Sequence, residues 1–328
     1  MVNAIRIQLN TYFNGVMLAV VIAVAASFLS EHYGAPVMLF ALLIGISFHF
    51  LAADPVCSKG VEFSASTMLR FGVGLLGLRL SVGDVTSIGA GPVLAVVGFV
   101  LATLIFGALM SRLLGRGMAF GLLAGGSVAI CGASAALAIA SVLPQRADRE
   151  QDTLFVVIAV TALSTIAMVV YPILFQRAGL NDVESGFLIG ATIHDVAQVV
   201  GAGYSVSDEA GVIATFVKMI RVALLPVVML LVMFSFRGAK SQKVALPWFL
   251  VMFVVLAVLA NTGLVPQSVI TLIANVSRWC LVIGISALGV KTSLTKFAEV
   301  KPSYGVILIV ETIFLLSIAI LFVTWHGI

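Results

Sequence analysis

The stretch Met118–Val142, MAFGLLAGGSVAICGASAALAIASV, limits what this chain can fold into more than any other. Its 25 residues carry no charge. At about 1.5 Å of rise per residue, a helix of that length crosses a hydrocarbon core of roughly 30 Å. Its centre is wrong for a plain span, because Gly125, Gly126, Ser127, Gly132 and Ser134 stand where a lipid-facing helix carries Leu or Ile. Glycine weakens a helix by roughly 1 kcal/mol relative to alanine. Broken backbone at membrane depth is tolerated only inside protein or beside a watery cavity. The stretch therefore reads as a buried, discontinuous helix whose half-helix N-terminus offers free N–H groups to an anion. The plainer alternative is an unbroken helix with a small-residue packing face.

Composition widens that reading to the whole chain. Of the 328 residues, 61% are hydrophobic and 10% charged, and the mean hydropathy is +1.20. That excludes an ordinary soluble domain and fits an all-α polytopic membrane protein. Eleven apolar segments can be drawn, at about 13–30, 35–53, 62–82, 87–110, 118–142, 153–176, 183–203, 211–235, 246–264, 267–290 and 303–325. The net charge of +4 does not point to nucleic acid, since basic residues beside spans follow the positive-inside rule. Cys57, Cys131 and Cys280 are far apart and show neither metal nor disulfide spacing. Arg6 and the small residues near Ala25–Ser27 are compatible with a signal peptide. The long first run and the span that follows at once favour an uncleaved helix.

With the N-terminus inside, the inside loops hold Arg6, Lys59, Arg112, Arg116, Arg177, Arg237, Lys240, Lys243, Lys291, Lys296 and Lys301, against Arg146 and Arg149 outside. This asymmetry predicts a multi-pass membrane protein with its N-terminus in and its C-terminus out. If segments 5 and 7 are re-entrant hairpins instead of broken spans, Arg146 and Arg149 move inside and Arg177 outside. The charge count is compatible with both.

The chain also reads as a repeat. Leu43-Ile44-Gly45 with His49 matches Leu188-Ile189-Gly190 with His194, and Met68-Leu69-Arg70 matches Met219-Ile220-Arg221. Gly132-Ala133-Ser134-Ala135 matches Gly284-Ile285-Ser286-Ala287, and Leu163-Ser164 matches Leu316-Ser317. These matches pair segments 2–6 with 7–11, and an odd number of segments per half requires two inverted five-helix repeats. The expected organisation is an accessory helix over residues 1–33, a first repeat over 34–178 and a second over 179–328. Inverted repeats with broken helices in matching positions point to a secondary transporter with its site at the midplane.

A charge in a span costs roughly 2.5–3.5 kcal/mol on insertion scales, so each needs a reason. The cations are Arg70, Arg79, Lys218, Arg221 and Arg278; the acids are Asp195 and Glu311. That positive excess suits an anion. Snorkelling is the plainer account of Arg79 and Arg278, near segment ends. Arg70 and Arg221 occupy matching repeat positions and are expected to face the protein interior. Lys218 and Arg221, three apart on one helix face, either grip a two-charge anion or neutralise Asp195. His194, Asp195 and Gln198 fall within about one helical turn and read as a proton or ion relay, or as a hydrogen-bond cluster that pins the fold. His49, between Phe48 and Phe50, reads as structural. Glu311, alone in the last span, either pairs with a cation or carries protons. The chain has neither a phosphate-binding G-x-x-x-x-G-K-[ST] loop nor H-E-x-x-H, and no enzyme activity is expected.

GGSVAICGASA (125–135), GATIHDVAQVVGAG (190–203) and KMIR (218–221), in this order, make the chain resemble the bacterial sulfate exporter family, the YeiH-like conserved membrane proteins. The resemblance covers roughly residues 35–328. It implies a relation to the sodium/proton antiporters and bile-acid/sodium symporters, and with it a panel domain and a core domain containing crossing broken helices, at segments 5 and 10. The implied activity is export of sulfate or a related sulfur oxyanion. Two departures stand out. Val128 and Ala129 occupy positions where hydroxyl residues often precede the Ile-Cys-Gly step, and Asp195 stands where Glu is usual.

The sequence thus predicts a secondary transporter of a small anion (sulfate, a related sulfur oxyanion or a sulfonate) working by alternating access, with an anion channel or a cation/proton antiporter of the same fold as alternatives. Gly125, Gly126, Ser127, Gly132, Ser134 and Ser286 would bind the anion, with Arg70, Lys218 and Arg221 supplying positive potential. His194, Asp195, Gln198 and Glu311 would handle a coupled proton or sodium ion. No metal or cofactor is expected. The partners would be the bilayer, the anion and a second copy of the chain through an apolar panel. On this reading Arg221→Ala abolishes transport and leaves folding intact.

Overall fold

The computed structural model describes residues 2–33, 36–80, 83, 89–144, 149–236, 246–292 and 302–327, with side chains from Thr11 and, in the last helix, from Gly305. Arg146, Arg237, Lys240, Lys243, Lys296 and Lys301, and the side chain of Arg6, lie outside the described residues. The described chain is largely helical and contains no strand. Among the described residues, six helices are long and apolar enough to cross a membrane: Thr11–Tyr33, Ala90–Leu113, Arg149–Arg177, Asp208–Ser235, Gln267–Lys291 and Gly305–His326.

Two groups of helices pack against each other. The first, a panel, contains α1 (Val2–Tyr33), α2 (Val37–Ser47), α3 (Ser58–Phe63), α4 (Leu69–Leu75), α13 (Trp248–Asn261) and α14 (Gln267–Lys291). A π-helical turn, Ser64–Met68, joins α3 to α4. Glycines set its close approaches. A β-carbon on Gly15 would fall 2.1 Å from Cys57 O, and one on Gly45 2.3 Å from Ser286 O. The first helix, expected as an accessory, is thereby locked to α2, α3 and α14.

The second group, the core, contains α5 (Ala90–Leu113), α6 (Met118–Ala129), α7 (Ala133–Val142), α8 (Arg149–Arg177), α9 (Asp182–Thr192), α10 (Val196–Val206), α11 (Asp208–Ala223), α12 (Leu225–Ser235) and α15 (Pro302–His326). The fifth and seventh segments are both broken, and both double back. A β-carbon on Gly126 of α6 would lie 2.3 Å from Ile139 Cδ1 of α7. On one straight helix residues 126 and 139 would stand about 20 Å apart. Arg116, before α6, pairs with Asp152, in the first turn of α8, at 2.7 Å. The chain therefore leaves α7 on the face where it entered α6.

The second hairpin is equally closed. β-Carbons on Gly186 of α9 and Gly203 of α10 would lie 2.8 and 3.1 Å from the same atom, Ala210 O of α11. Helix α8, 29 residues long, joins the hairpins and spans about 40 Å. The two hairpins thus enter from opposite faces. One face, here called the Lys291 face, carries Arg116, Asp152, Glu62 and Lys291; the other, the Asp208 face, carries Arg79, Asp208 and Asn261.

Of the two topologies compatible with the charges, the hairpin is the one found, and it places Arg149 with Lys59, Arg112, Arg116 and Lys291, with Arg177 opposite. The expected break at Ser286 is corrected. Helix α14 runs unbroken from Gln267 to Lys291, and Ser286 Oγ donates to Val282 O at 2.9 Å. Gly284 and Gly289 there serve close packing, since β-carbons on them would meet Leu69 Cβ at 2.6 Å and Leu42 O at 2.4 Å. Segments 5 and 10 are therefore unlike in architecture, as are segment 2, a plain short helix, and segment 7. What is inverted in this structure is the pair of hairpins.

Candidate functional site

The tips of the hairpins meet inside the core. The first tip turns through Ile130 (φ −112°, ψ −86°), Cys131 and Gly132 (φ 62°, ψ −125°). Gly132 is in a region that L side chains avoid, which explains its place in the sequence. The second tip, Ile193 to Asp195, uses extended backbone with no positive φ. A β-carbon on Gly132 would lie 3.5 Å from His194 Cβ, so the tips touch.

Each tip leaves helix-terminal carbonyls without intrahelical partners, and helix C-termini carry partial negative charge. Helix α11 answers both with two buried cations. Lys218 Nζ donates to Ile130 O (2.5 Å), to Ile193 O (2.9 Å) and to His194 O. Arg221 donates to Val128 O (2.6 Å), Ala129 O (2.7 Å), Gly190 O (3.0 Å) and Ile193 O (2.9 Å). The cations expected to grip an anion, or to neutralise Asp195, instead stitch two hairpin tips together. Neither has a carboxylate partner among the described residues.

His194 is held at every polar atom. Its Nδ1 lies 3.2 Å from Val128 O, its Nε2 3.0 Å from Thr312 Oγ1, and its backbone N–H donates to Ser164 Oγ at 3.2 Å. Because a carbonyl only accepts, Nδ1 is the nitrogen that carries hydrogen toward Val128. Of the two sequence readings, the geometry favours a pin for the fold. Gln198 is buried and donates to Thr165 Oγ1 at 2.8 Å, while its Oε1 has no partner among the described residues.

A cavity of about 620 Å³ lies between panel and core and runs from the tips toward the Lys291 face. Cys131, Ala133, Ser134, Asp195 and Thr165 form its inner wall, while Arg70, Trp248, Glu62 and Lys291 lie across and outward. Arg70 stands 6.0 Å from the centre of the Phe249 ring and is exposed, where the sequence predicted an interior position. Glu62 and Lys291 form an ion pair at the rim.

The N-termini of the two return arms, α7 and α10, both face this cavity, and they differ. Helix α10 is capped, Asp195 Oδ1 accepting from Ala197 N at 2.8 Å. Helix α7 has no side-chain cap. Its first intrahelical bond is Ala136 N to Gly132 O, at 2.9 Å, so the N–H groups of Ala133 and Ser134 have no acceptor within the helix. Of the other small residues expected to bind, Gly125 and Gly126 serve packing against α5 and Ile139, and Ser127 donates to Leu123 O. Ser286 is buried against α2. Thr161 and Thr165, missed by the sequence reading, line the cavity from α8; their spacing of four on one apolar helix was the available signal.

A second cavity, of about 510 Å³, lies at the opposite end of the same panel and is lined by Arg79, Arg278, Asn261, Asn275 and Asp208. Beside it the panel is tied to the core. Arg79 pairs with Asp208 at 3.4 Å, donates to Tyr204 Oη at 3.4 Å, and stacks 5.7 Å from the Tyr204 ring centre.

Apolar helices of spanning length, together with two hairpins buried tip to tip, define a multi-pass membrane protein. The chain belongs to the family described as conserved hypothetical protein 698, which matches residues 14–322, in agreement with the YeiH-like resemblance. A UPF0324 membrane protein of Chlorobaculum tepidum is 49% identical over 331 residues, covering 99% of this chain and 92% of that protein. The UPF0324 membrane protein TauZ of Paracoccus denitrificans is 48% identical over 312 residues, covering 92% of each. One from Rhizobium meliloti is 46% identical over 319 residues, covering 95% of this chain and 92% of that one. No solved structure matches the chain.

Proposed function

We propose that this protein is a secondary transporter, with no enzyme activity, that moves a small anion such as sulfate, a related sulfur oxyanion or a sulfonate by alternating access. The observation that carries the proposal is the uncapped N-terminus of α7. It presents two backbone N–H groups and the Ser134 side chain to the cavity between panel and core, with the Arg70 guanidinium on the opposing wall. Free helix N–H groups and a guanidinium are suited to an oxyanion. Asp195 at the facing N-terminus disfavours a second anion there and is the group best placed to carry a coupled proton or sodium ion. The two cavities, at opposite ends of the panel with the tips between them, support movement of the core against the panel. The Arg79–Asp208 pair then marks the closed end.

The positive-inside rule puts the Lys291 face in the cytoplasm of a bacterial inner membrane, with the N-terminus inside and the C-terminus outside. The test is the thermal stability of the purified protein with sulfate, sulfite, thiosulfate, sulfonates and small carboxylates. A ligand at 100 times its Kd stabilises by roughly 2.7 kcal/mol. One anion class is expected to raise Tm in the natural protein and to do so far less in Arg70→Ala. A shift with sodium and with no anion would move the reading to a cation antiporter, and unitary currents in bilayers would move it to a channel.

A further inference from the structure

Glu311 lies outside the cavity and is fully buried on α15, and neither carboxyl oxygen has a hydrogen-bond partner among the described residues. It is lodged in a notch made by bare backbone. A β-carbon on Gly107 of α5 would sit 2.5 Å from Glu311 Oε1, 2.8 Å from Gly121 O and 3.0 Å from Gly125 Cα, both of α6. Gly107 leaves the space that this carboxyl fills, while Gly121 and Gly125 let α6 lie close against α5. An ionised carboxylate needs donors, yet the backbone polar atom in this notch is a carbonyl, and the amides of α5 and α6 are used within their helices. A protonated carboxyl, in contrast, has an O–H to offer and carries no charge into the dry interface.

We propose that Glu311 is a proton-binding site of the core, occupied in the state seen here. The groups that surround this notch on α5 and α6 are uncharged: Gly107, Gly121 and Gly125. Helix α8 carries its acids, Glu150 and Asp152, in its first turn, and Asp152 is paired with Arg116. On the α9 side, the titratable neighbour of its helix is His194, bonded through Thr312, the next residue after Glu311. That bond connects the notch to the hairpin tips. Loss of the proton would place a charge between α5, α6 and α15 and force them to move or admit water, and Thr312 would transmit the shift to His194. The coupling of this proton to transport rests on the transporter reading; the proton site itself does not.

Infrared spectroscopy of the full-length protein in detergent, titrated with pH and sodium, tests it. The natural protein is expected to show the C=O stretch of a protonated, non-hydrated carboxylic acid at pH 8, and Glu311→Gln is expected to lose it. The folded state would hold a proton that the unfolded chain releases, so Tm should fall as pH rises from 6 to 9, with a shallower slope in Glu311→Gln. Should that variant not fold, Glu311→Asp keeps a carboxyl and should move the band. A band and slope unchanged by either substitution would overturn the proposal. So would a sodium-dependent rise in Tm, at fixed pH, that Glu311→Gln abolishes, since that marks a cation site. None of these readouts uses an anion, so failure here leaves the α7 site standing, and failure of that site leaves this one.

Discussion

The two hairpins do the same thing with different chemistry. The first turns on a glycine at positive φ and leaves its return arm, α7, uncapped. The second turns on extended residues and caps its return arm, α10, with Asp195. Their outgoing arms are alike: α6 and α9 both end on carbonyls satisfied by Lys218 and Arg221. The difference shows where structure ends and function begins. Carbonyl ends are tied off symmetrically in the dry interior, whereas amide ends face the cavity, one occupied by a carboxylate and one open.

The largest expected effect falls on what the hairpins share. Arg221→Ala removes donors from up to four buried carbonyls, each worth about 1–3 kcal/mol when left unsatisfied. The variant should lose its monodisperse peak in size-exclusion chromatography. This reverses the sequence expectation that folding survives the change, and a normally folded Arg221→Ala would show that the tips hold without their tie.

The next effect separates the tips. Gly132→Ala forces a β-carbon onto a backbone reserved for glycine, at a cost of about 1–3 kcal/mol. Ile193→Val at the other tip meets no such backbone penalty. Thermal melts of the two variants should therefore differ, with Gly132→Ala the less stable.

A smaller effect sharpens the contrast between the caps. Asp195→Ala should cost about 1 kcal/mol as a lost N-cap, while Asp195→Asn keeps the acceptor and stays near the natural Tm. By removing the charge beside the cavity, Asp195→Asn should also enlarge any anion-induced rise in Tm. An unchanged or reduced anion response would mean that Asp195 does not oppose the ligand.

The smallest effect on stability falls on the Arg79–Asp208 pair. Arg79→Gln breaks a pair whose Asp208 is largely exposed, and should cost under about 1 kcal/mol. It should nevertheless speed thiol labelling of a reporter introduced as Thr271→Cys in the second cavity. Labelling at the natural rate would show that Arg79 does not hold the panel against the core.

Much of the fold was legible in the residues. The uncharged run of Met118–Val142, with its glycines and serines in the centre, favoured a buried and broken helix over an unbroken one with a small-residue packing face, and the break is found. The membrane class followed from composition. The chemistry of Ser134, Arg70 and Asp195 was visible as unusual polarity in apolar surroundings, and those three do meet at one cavity. The sequence could not say which way the chain goes after a break. A glycine-rich interruption ends a helix equally well in a crossing span and in a hairpin, and the choice is made by contacts such as Gly126 on Ile139 and Arg116 with Asp152. For the same reason Gly284 and Ser286 looked like a second break and proved to be a packing seam: small residues permit a bend and a close approach alike. The role of Lys218 and Arg221 was likewise settled only in three dimensions. Cations in a span suit an anion or a bare carbonyl, and here two helix ends from distant parts of the chain had arrived at the cations first.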